Sequence, residues 1–353
     1  MNLCVNRLDN IKIDKKSYEI IPTEKAEELK LYGAIVGVDG EYLVYDKNVM
    51  ILIHKSELRL QMGELMYQAL ARKPMMLFLM PTQEDELEGT KEDFDKRYGR
   101  KTIDLNNFAQ AFSIACWLIK DSCVSSTKIY WLNIINGYYS HDTRHMDIML
   151  SDGTVTETCF TESEMQEAIA RMYQVYGYLL PDEAQTGAVN MSVSGGTVVW
   201  EIDQAMTTEC KSFARALIML QEARRTGVIS TRIDKYCSIL ECLFAIKDQH
   251  KINISQTTAA YIGEDATERE KIVIDMRDAY GVRSDGSHGE NLKFLRDNDR
   301  EALAELSRRL DDYVRRVFRK VIVDNTLNYS ATPESKAEVR AYFRAIMKTA
   351  YPD

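Results

Sequence analysis

The hydrophobic pattern of this 353-residue chain changes period near residue 205, and that change limits the fold more than any other feature. Before it, short apolar runs alternate with turn residues. Val36-Gly37-Val38-Asp39-Gly40-Glu41-Tyr42-Leu43-Val44-Tyr45 reads as two strands about an Asp-Gly turn, and Asp147 to Thr156 repeats the pattern around Asp152-Gly153. Gly195-Gly196 before Thr197-Val198-Val199-Trp200 marks another strand entry. Helical segments are expected at 57–72, 105–119 and 162–178, the last opened by Thr161 with Glu164 three residues on, the spacing of a capping box. The acidic run Glu84 to Glu88, followed by Lys91-Glu92-Asp93, reads as a solvated loop or a helix start.

After Asp203 the period becomes helical. Phe213, Leu217 and Leu220 share a face, and Ile233, Tyr236, Cys237, Leu240, Leu243 and Phe244 follow the i, i+3, i+4, i+7 rule. Ile272, Met276 and Tyr280 extend it, and Leu303, Leu306, Leu310, Tyr313, Val314 and Val317 form a clean stripe. Thr332-Pro333 pairs an N-cap residue with proline at the first helical position, opening a last helix to about residue 349. The expected architecture is an α+β domain over 1–204 followed by an all-α bundle of five or six helices over 205–353.

Composition narrows the class. The chain is 45% hydrophobic and 28% charged, ordinary for a globular protein, and its net charge of −9 gives no general attraction to nucleic acid. Any contact with RNA has to be local. The seven cysteines are scattered without a C-x-x-C pair, which suits a reducing compartment. The first residues lack the apolar stretch of a signal peptide, and no run reaches the length of a membrane span, so a cytoplasmic location is expected.

One segment carries specific chemistry. Tyr280-Gly281-Val282-Arg283-Ser284-Asp285-Gly286-Ser287-His288-Gly289 places an arginine and a histidine five positions apart at the end of a helical run. On an unbroken helix such residues point about 140° apart. Asp285-Gly286 is read as a break that lets both aim into one cleft. A histidine side chain can exchange protons with a ribose 2′-hydroxyl or a leaving 5′-oxygen, and a guanidinium can neutralise charge growing on the phosphoryl oxygens. That scheme calls for neither metal nor cofactor; the plainer reading of the same residues pairs Arg283 with a carboxylate and leaves His288 a solvated loop residue.

The surrounding sequence resembles the HEPN superfamily, and within it the Apea-like branch. The matching elements are the helix Leu240-Glu241-Cys242-Leu243-Phe244 and the later Tyr280-Gly281-Val282-Arg283-Ser284 with His288-Gly289. The resemblance covers roughly 205–325. It implies an all-α bundle that pairs with a second copy so that both Arg-His motifs share one cleft. It further implies a metal-independent endoribonuclease of a bacterial defence or toxin system. Carried over, Arg283 and His288 are the catalytic pair, with Ser284 and Tyr280 in support, and Glu241 either orients the arginine or contributes to the cleft, or makes a buried ion pair. Ser287 stands where the family often has an apolar residue, and Glu290 stands where one toxin subtype has a modified tyrosine.

Other features are weaker. Arg308-Arg309, Arg315-Arg316 and Arg319-Lys320 form a basic stripe that could touch RNA or serve as a solvated face with i, i+4 pairs. His141 and His145, four apart, have metal-ligand spacing on a helix, but they lead into an expected strand and read as a surface loop. Trp117, Trp131 and Trp200 read as core or strand residues, and Gly195-Gly196 lacks phosphate-loop spacing. The functional expectation is therefore a homodimeric endoribonuclease, with the first domain sensing a trigger, restraining the nuclease or selecting RNA. A non-catalytic HEPN adaptor in a larger defence complex, with a regulatory protein partner, is the alternative.

Overall fold

The computed structural model describes residues 2–13, 33–36, 42–43, 60, 63–65, 75–80, 89–133, 139–143, 147–179, 189–194, 197–202, 212–324, 327, 329 and 332–352. The protein is mainly helical and forms two compact units. One comprises Met1–Asp147 and Thr156–Asp203, the other Ile148–Val155 and Gln204–Asp353. Among the described residues no helix is long and apolar enough to cross a membrane.

The first unit contains every described strand: β1 (Asn2–Asp9), β2 (Ile11–Ile13), β3 (Gly33–Val36), β4 (Tyr42–Leu43), β5 (Met75–Met80), β6 (Ser125–Asn133), β7 (Tyr139–Thr143), β8 (Thr158–Phe160), β9 (Val189–Ser194) and β10 (Thr197–Ile202). Six of them make an antiparallel sheet in the order β4-β3-β5-β1-β6-β7. Ile35 faces Leu43 and Val36 faces Tyr42, so the strands expected about Asp39-Gly40 pair with each other. Their turn lies outside the described residues, as do Gly195-Gly196 and most of the expected helix 57–72. Trp200 lies in β10, paired with Met191 of β9.

Helix α1 (Lys91–Ile119) starts earlier than its apolar pattern suggests, because Thr90 and Asp93 close a reciprocal capping box at its N-terminus. The second half of the acidic run is therefore a helix start; Glu84 to Glu88 lie outside the described residues. Phe112, Cys116 and Trp117 of α1 are fully buried, and the helix packs on α2 (Glu162–Leu179) and β6. The Thr161–Glu164 box is present at the start of α2: the Thr161 amide donates to Glu164, and the Glu164 amide donates to the Thr161 hydroxyl.

The second unit holds seven helices among the described residues: α3 (Ser212–Arg225), α4 (Ile229–Phe244), α5 (His250–Ile262), α6 (Ala266–Ser287), α7 (Phe294–Asp297), α8 (Arg300–Asp324) and α9 (Pro333–Ala350). Helix α4 is central and touches α3, α5, α6, α8 and α9. Its six periodic apolar residues are all buried, which leaves Asp234, Ser238 and Glu241 along a complementary polar seam. Phe244, Tyr261 and Phe343 form an aromatic cluster that ties α4 to α5 and α9, with the Phe244 and Phe343 centroids 4.5 Å apart. Thr332 caps α9 by accepting from the Ser335 amide, with Pro333 in the first helical position.

Residues 148–155 do not form the expected hairpin. A tight turn is present, with the Leu150 amide bonded to the Thr154 carbonyl and Gly153 at φ 84°, but neither flank is a strand. The segment instead straps onto the helical unit. The Met149 amide donates to the Arg224 carbonyl at 2.8 Å, Ser307 Oγ donates to the Ser151 carbonyl at 2.6 Å, and Arg308 pairs with Asp152 at 2.9 Å. Backbone groups that a hairpin would satisfy internally are satisfied here by α3 and α8.

Candidate active site

Arg283 lies one turn from the end of α6, and two carboxylates of α4 hold it. Its Nε is 2.8 Å from Asp234 Oδ1, and its Nη1 donates to Glu241 Oε1. Asp234 and Glu241 are seven residues apart on α4, hence on one face. The Tyr280 hydroxyl donates to the same Glu241 oxygen at 2.9 Å, and the guanidinium lies 5.7 Å from the Tyr280 ring centre. Helix α6 thus places Tyr280 and Arg283, three residues apart, against one carboxylate.

These contacts fix the protonation states. Burial works against the charge on Arg283, but the hydrogen bond and negative charge of Glu241 outweigh it and hold the guanidinium above its ordinary pKa. Burial, then Cys237 and Glu241, raise Tyr280 well beyond the usual phenol range, so it stays a donor. Burial raises the fully enclosed Cys237 thiol far above its usual value, which removes it as a nucleophile.

The expected break at Asp285-Gly286 is absent, and α6 runs on to Ser287. The helix is terminated by Gly289 instead. The Gly289 amide bonds to the Gly286 carbonyl, the Glu290 amide bonds to the Asp285 carbonyl, and Gly289 takes φ 67°. That is a Schellman motif, in which His288 is the cap residue and Gly289 the left-handed terminator. The side chain of Asp285 is buried and accepts from the Lys293 amide at 2.7 Å, which folds the following loop back over the helix end. Because the helix is unbroken, Arg283 and His288 leave it about 140° apart with about 7.5 Å of rise between them. His288 is exposed, and among the described residues no hydrogen bond or ion pair joins it to Arg283. Ser284 is exposed beside the pair.

A second histidine, not anticipated from the sequence, is at hand. His250 Nδ1 lies 3.5 Å from Glu241 Oε1, the oxygen that Arg283 and Tyr280 share. His250 also lines an open depression of about 360 Å³, with Glu241 as a polar wall, Arg215 and Lys247 as cations, and Met219 and Ile246 as apolar surface. Asp234 had a readable signal, its heptad spacing from Glu241. His250, Arg215 and Lys247 had none, because they reach the site from other helices and a connecting turn.

The basic stripe of α8 is largely committed to the fold. Arg309 forks onto Asp275 at 2.8 and 3.0 Å, and Tyr313 donates to the same carboxylate at 2.7 Å. Arg308 pairs with Asp152, Glu301 and Glu305, and Arg315 with Asp311 and Asp312. Arg316 pairs with Glu268, and Arg319 is half-buried on the same helix. Elsewhere, His141 lies within β7, its ring 5.9 Å from that of Tyr130, and His145 lies outside the described residues. Compared with known protein families, curated proteins and solved structures, the chain finds no match.

Proposed function

We propose that the helical unit is a HEPN-like module and that the protein is a metal-independent endoribonuclease acting as a homodimer. The observation that carries this reading is the end of α6. It bears a guanidinium oriented by Glu241, Asp234 and Tyr280 and, five residues on, an exposed imidazole at the helix cap. His288 would take the proton from a ribose 2′-hydroxyl or return one to the leaving 5′-oxygen. Arg283 would stabilise the charge on the phosphoryl oxygens as the 2′-oxygen bonds to phosphorus and the 5′-oxygen leaves. The divergence of the two side chains on one helix supports a cleft completed by the motif of a second copy. An RNA-cleaving module of this kind suits bacterial antiviral defence or a toxin, with the first unit as regulator.

The double-carboxylate clamp on Arg283 favours a second reading, an adaptor without activity, since a guanidinium already engaged by Asp234 and Glu241 pulls less on a phosphate. One experiment decides. The full chain is incubated with transfer RNA and single-stranded RNA in EDTA, beside His288→Ala and Arg283→Ala. The ribonuclease reading expects products with 2′,3′-cyclic phosphate ends that vanish in both variants. Wild type and variants giving the same RNA pattern would establish the adaptor.

A further inference from the structure

We infer that His250 is a positioning residue of the Arg283 site, and that the site admits a phosphate when the His250 imidazole carries a proton. This rests on the ribonuclease reading and names how its site is regulated. The charges at the clamp are uneven. One guanidinium faces two carboxylates, Asp234 and Glu241, so negative charge is in excess around the group that has to receive a phosphate. An anion approaching Arg283 meets that excess, and a guanidinium already bonded to carboxylates offers it little.

His250 is placed to supply the missing cation. Its Nδ1 stands 3.5 Å from Glu241 Oε1, just beyond a normal hydrogen bond, while Arg283 and Tyr280 donate to that same oxygen. A carboxylate oxygen has two lone-pair sites, so Oε1 is full and His250 waits as a third donor. The other oxygen, Oε2, takes no hydrogen bond among the described residues. The Nε2 of His250 has no hydrogen-bond partner, so Glu241 is the group that orients the ring. The ring is 41% exposed, and protons reach it from solvent. Once charged, it draws the Glu241 carboxylate toward itself, and Arg283 gains freedom to turn to a phosphate.

The other charges near His250 are engaged elsewhere or lie in solvent. Helix α5 packs on α4, α6, α8 and α9. From α4 come Glu241 and Cys242, whose thiol donates to the Ser212 carbonyl, and from α6 come Arg283 and Tyr280. Arg340 of α9 donates to the Ala245 carbonyl at 2.7 Å, and Arg344 pairs with Asp248 at 2.6 Å. Arg316 and Lys320 of α8 meet the far end of α5, at the Ile262 and Tyr261 carbonyls. Arg215 of α3 lines the same depression and has a partner of its own. Lys247 is exposed in the turn before α5, and exposed Lys251 acts on Asp278 of α6. The turn itself is fixed by Ala245 and Gln249, left-handed at φ 54° and 44°, which holds His250 beside Glu241.

The test measures binding apart from cleavage. The full-length His288→Ala chain, which lacks the other ring of the site, is titrated with a fluorescent 2′-O-methyl oligoribonucleotide from about pH 8 to 5.5 at constant ionic strength. Affinity is expected to rise about tenfold toward the acid end, the scale of one charge acting across a few ångströms at a protein surface. Adding His250→Gln should hold affinity at the weak level throughout, and adding His250→Lys should hold it at the tight level, with unfolding midpoints confirming that both variants fold. The same rise in folded His250→Gln would overturn the inference. A second readout needs no RNA. At the alkaline end, phenylglyoxal modification of Arg283, measured by mass spectrometry against exposed Arg277 on the same helix, should be severalfold faster in His250→Lys than in His250→Gln. Equal rates would overturn the switch whether or not RNA binds. A faster rate in a chain that never binds RNA would keep the switch and remove the nuclease.

Discussion

The arginines of α8 and the single Arg283 of α6 differ in what they face. Those of α8 turn toward their own bundle: Arg309 is spent on Asp275, Arg315 on Asp311 and Asp312, and Arg316 on Glu268. Arg283 is also paired with carboxylates, yet it stands at a helix end beside an open depression and an exposed imidazole. The first group holds helices together. Arg283 also joins two helices, α6 to α4, and differs in that its carboxylate oxygen on Glu241 is shared with Tyr280 and His250. In the sequence both are basic residues on amphipathic helices. The comparison teaches that the packing of neighbouring helices, rather than local charge density, decides which partners an arginine meets.

The comparison can be tested by separating activity from stability. The largest expected effect is on the motif side: His288→Ala should lower RNA cleavage by about 10² to 10⁴-fold, with no change in the unfolding midpoint, because the exposed ring makes no side-chain hydrogen bond among the described residues. On the frame side, Asp275→Ala should cost about 3 kcal/mol of unfolding free energy in urea, because it strands Arg309 and the Tyr313 hydroxyl. Cleavage by the protein still folded should persist. A loss below about 1 kcal/mol would place Asp275–Arg309 among surface pairs and blur the distinction.

Two smaller effects sharpen the boundary between the groups. Gly289→Ala should cost about 1 kcal/mol, since φ 67° penalises a side chain while nothing lies near enough to clash with the added Cβ. Because that glycine fixes the His288 cap, cleavage should fall as well, read at a temperature where the variant is fully folded. The smallest effect concerns Asp152. Burial pushes its pKa up, but hydrogen bonds from Thr154 and the charge of Arg308 overcome this and hold it below the ordinary value. Its stabilisation is therefore complete above about pH 4 and fades as the pH falls through the lowered pKa. Melting temperature plotted from pH 5 to 3 should fall less steeply in Asp152→Asn than in the wild type.

The helical stripes were legible because they depend on a period local to each helix. Ile233 to Phe244 on α4 and Leu303 to Val317 on α8 are buried where the pattern puts them, and Thr161 and Thr332 cap helices through neighbours three residues away. What failed depends on partners distant in the chain. Asp152-Gly153 has the chemistry of a hairpin turn, but its flanks bind Arg224 and Ser307 instead of each other. Gly286 looked like a helix breaker, yet the buried carboxylate of Asp285 and the left-handed Gly289 carry the helix past it. Glu241 and Arg283 were readable as residues, but their shared oxygen with Tyr280 and His250 required three helices at once.

The strap formed by residues 148–155 makes the helical unit discontinuous in the chain. Three connections, at 147/148, 155/156 and 203/204, cross between the two units. Cutting the chain near 204 would therefore leave the halves linked only by what the strap holds, and a gene fragment starting there would lack the backbone partners of Arg224 and Ser307. Evolution cannot shuffle these helices as a single cassette, because the piece that completes them is encoded inside their neighbour. Two units threaded through each other in this way are inherited together.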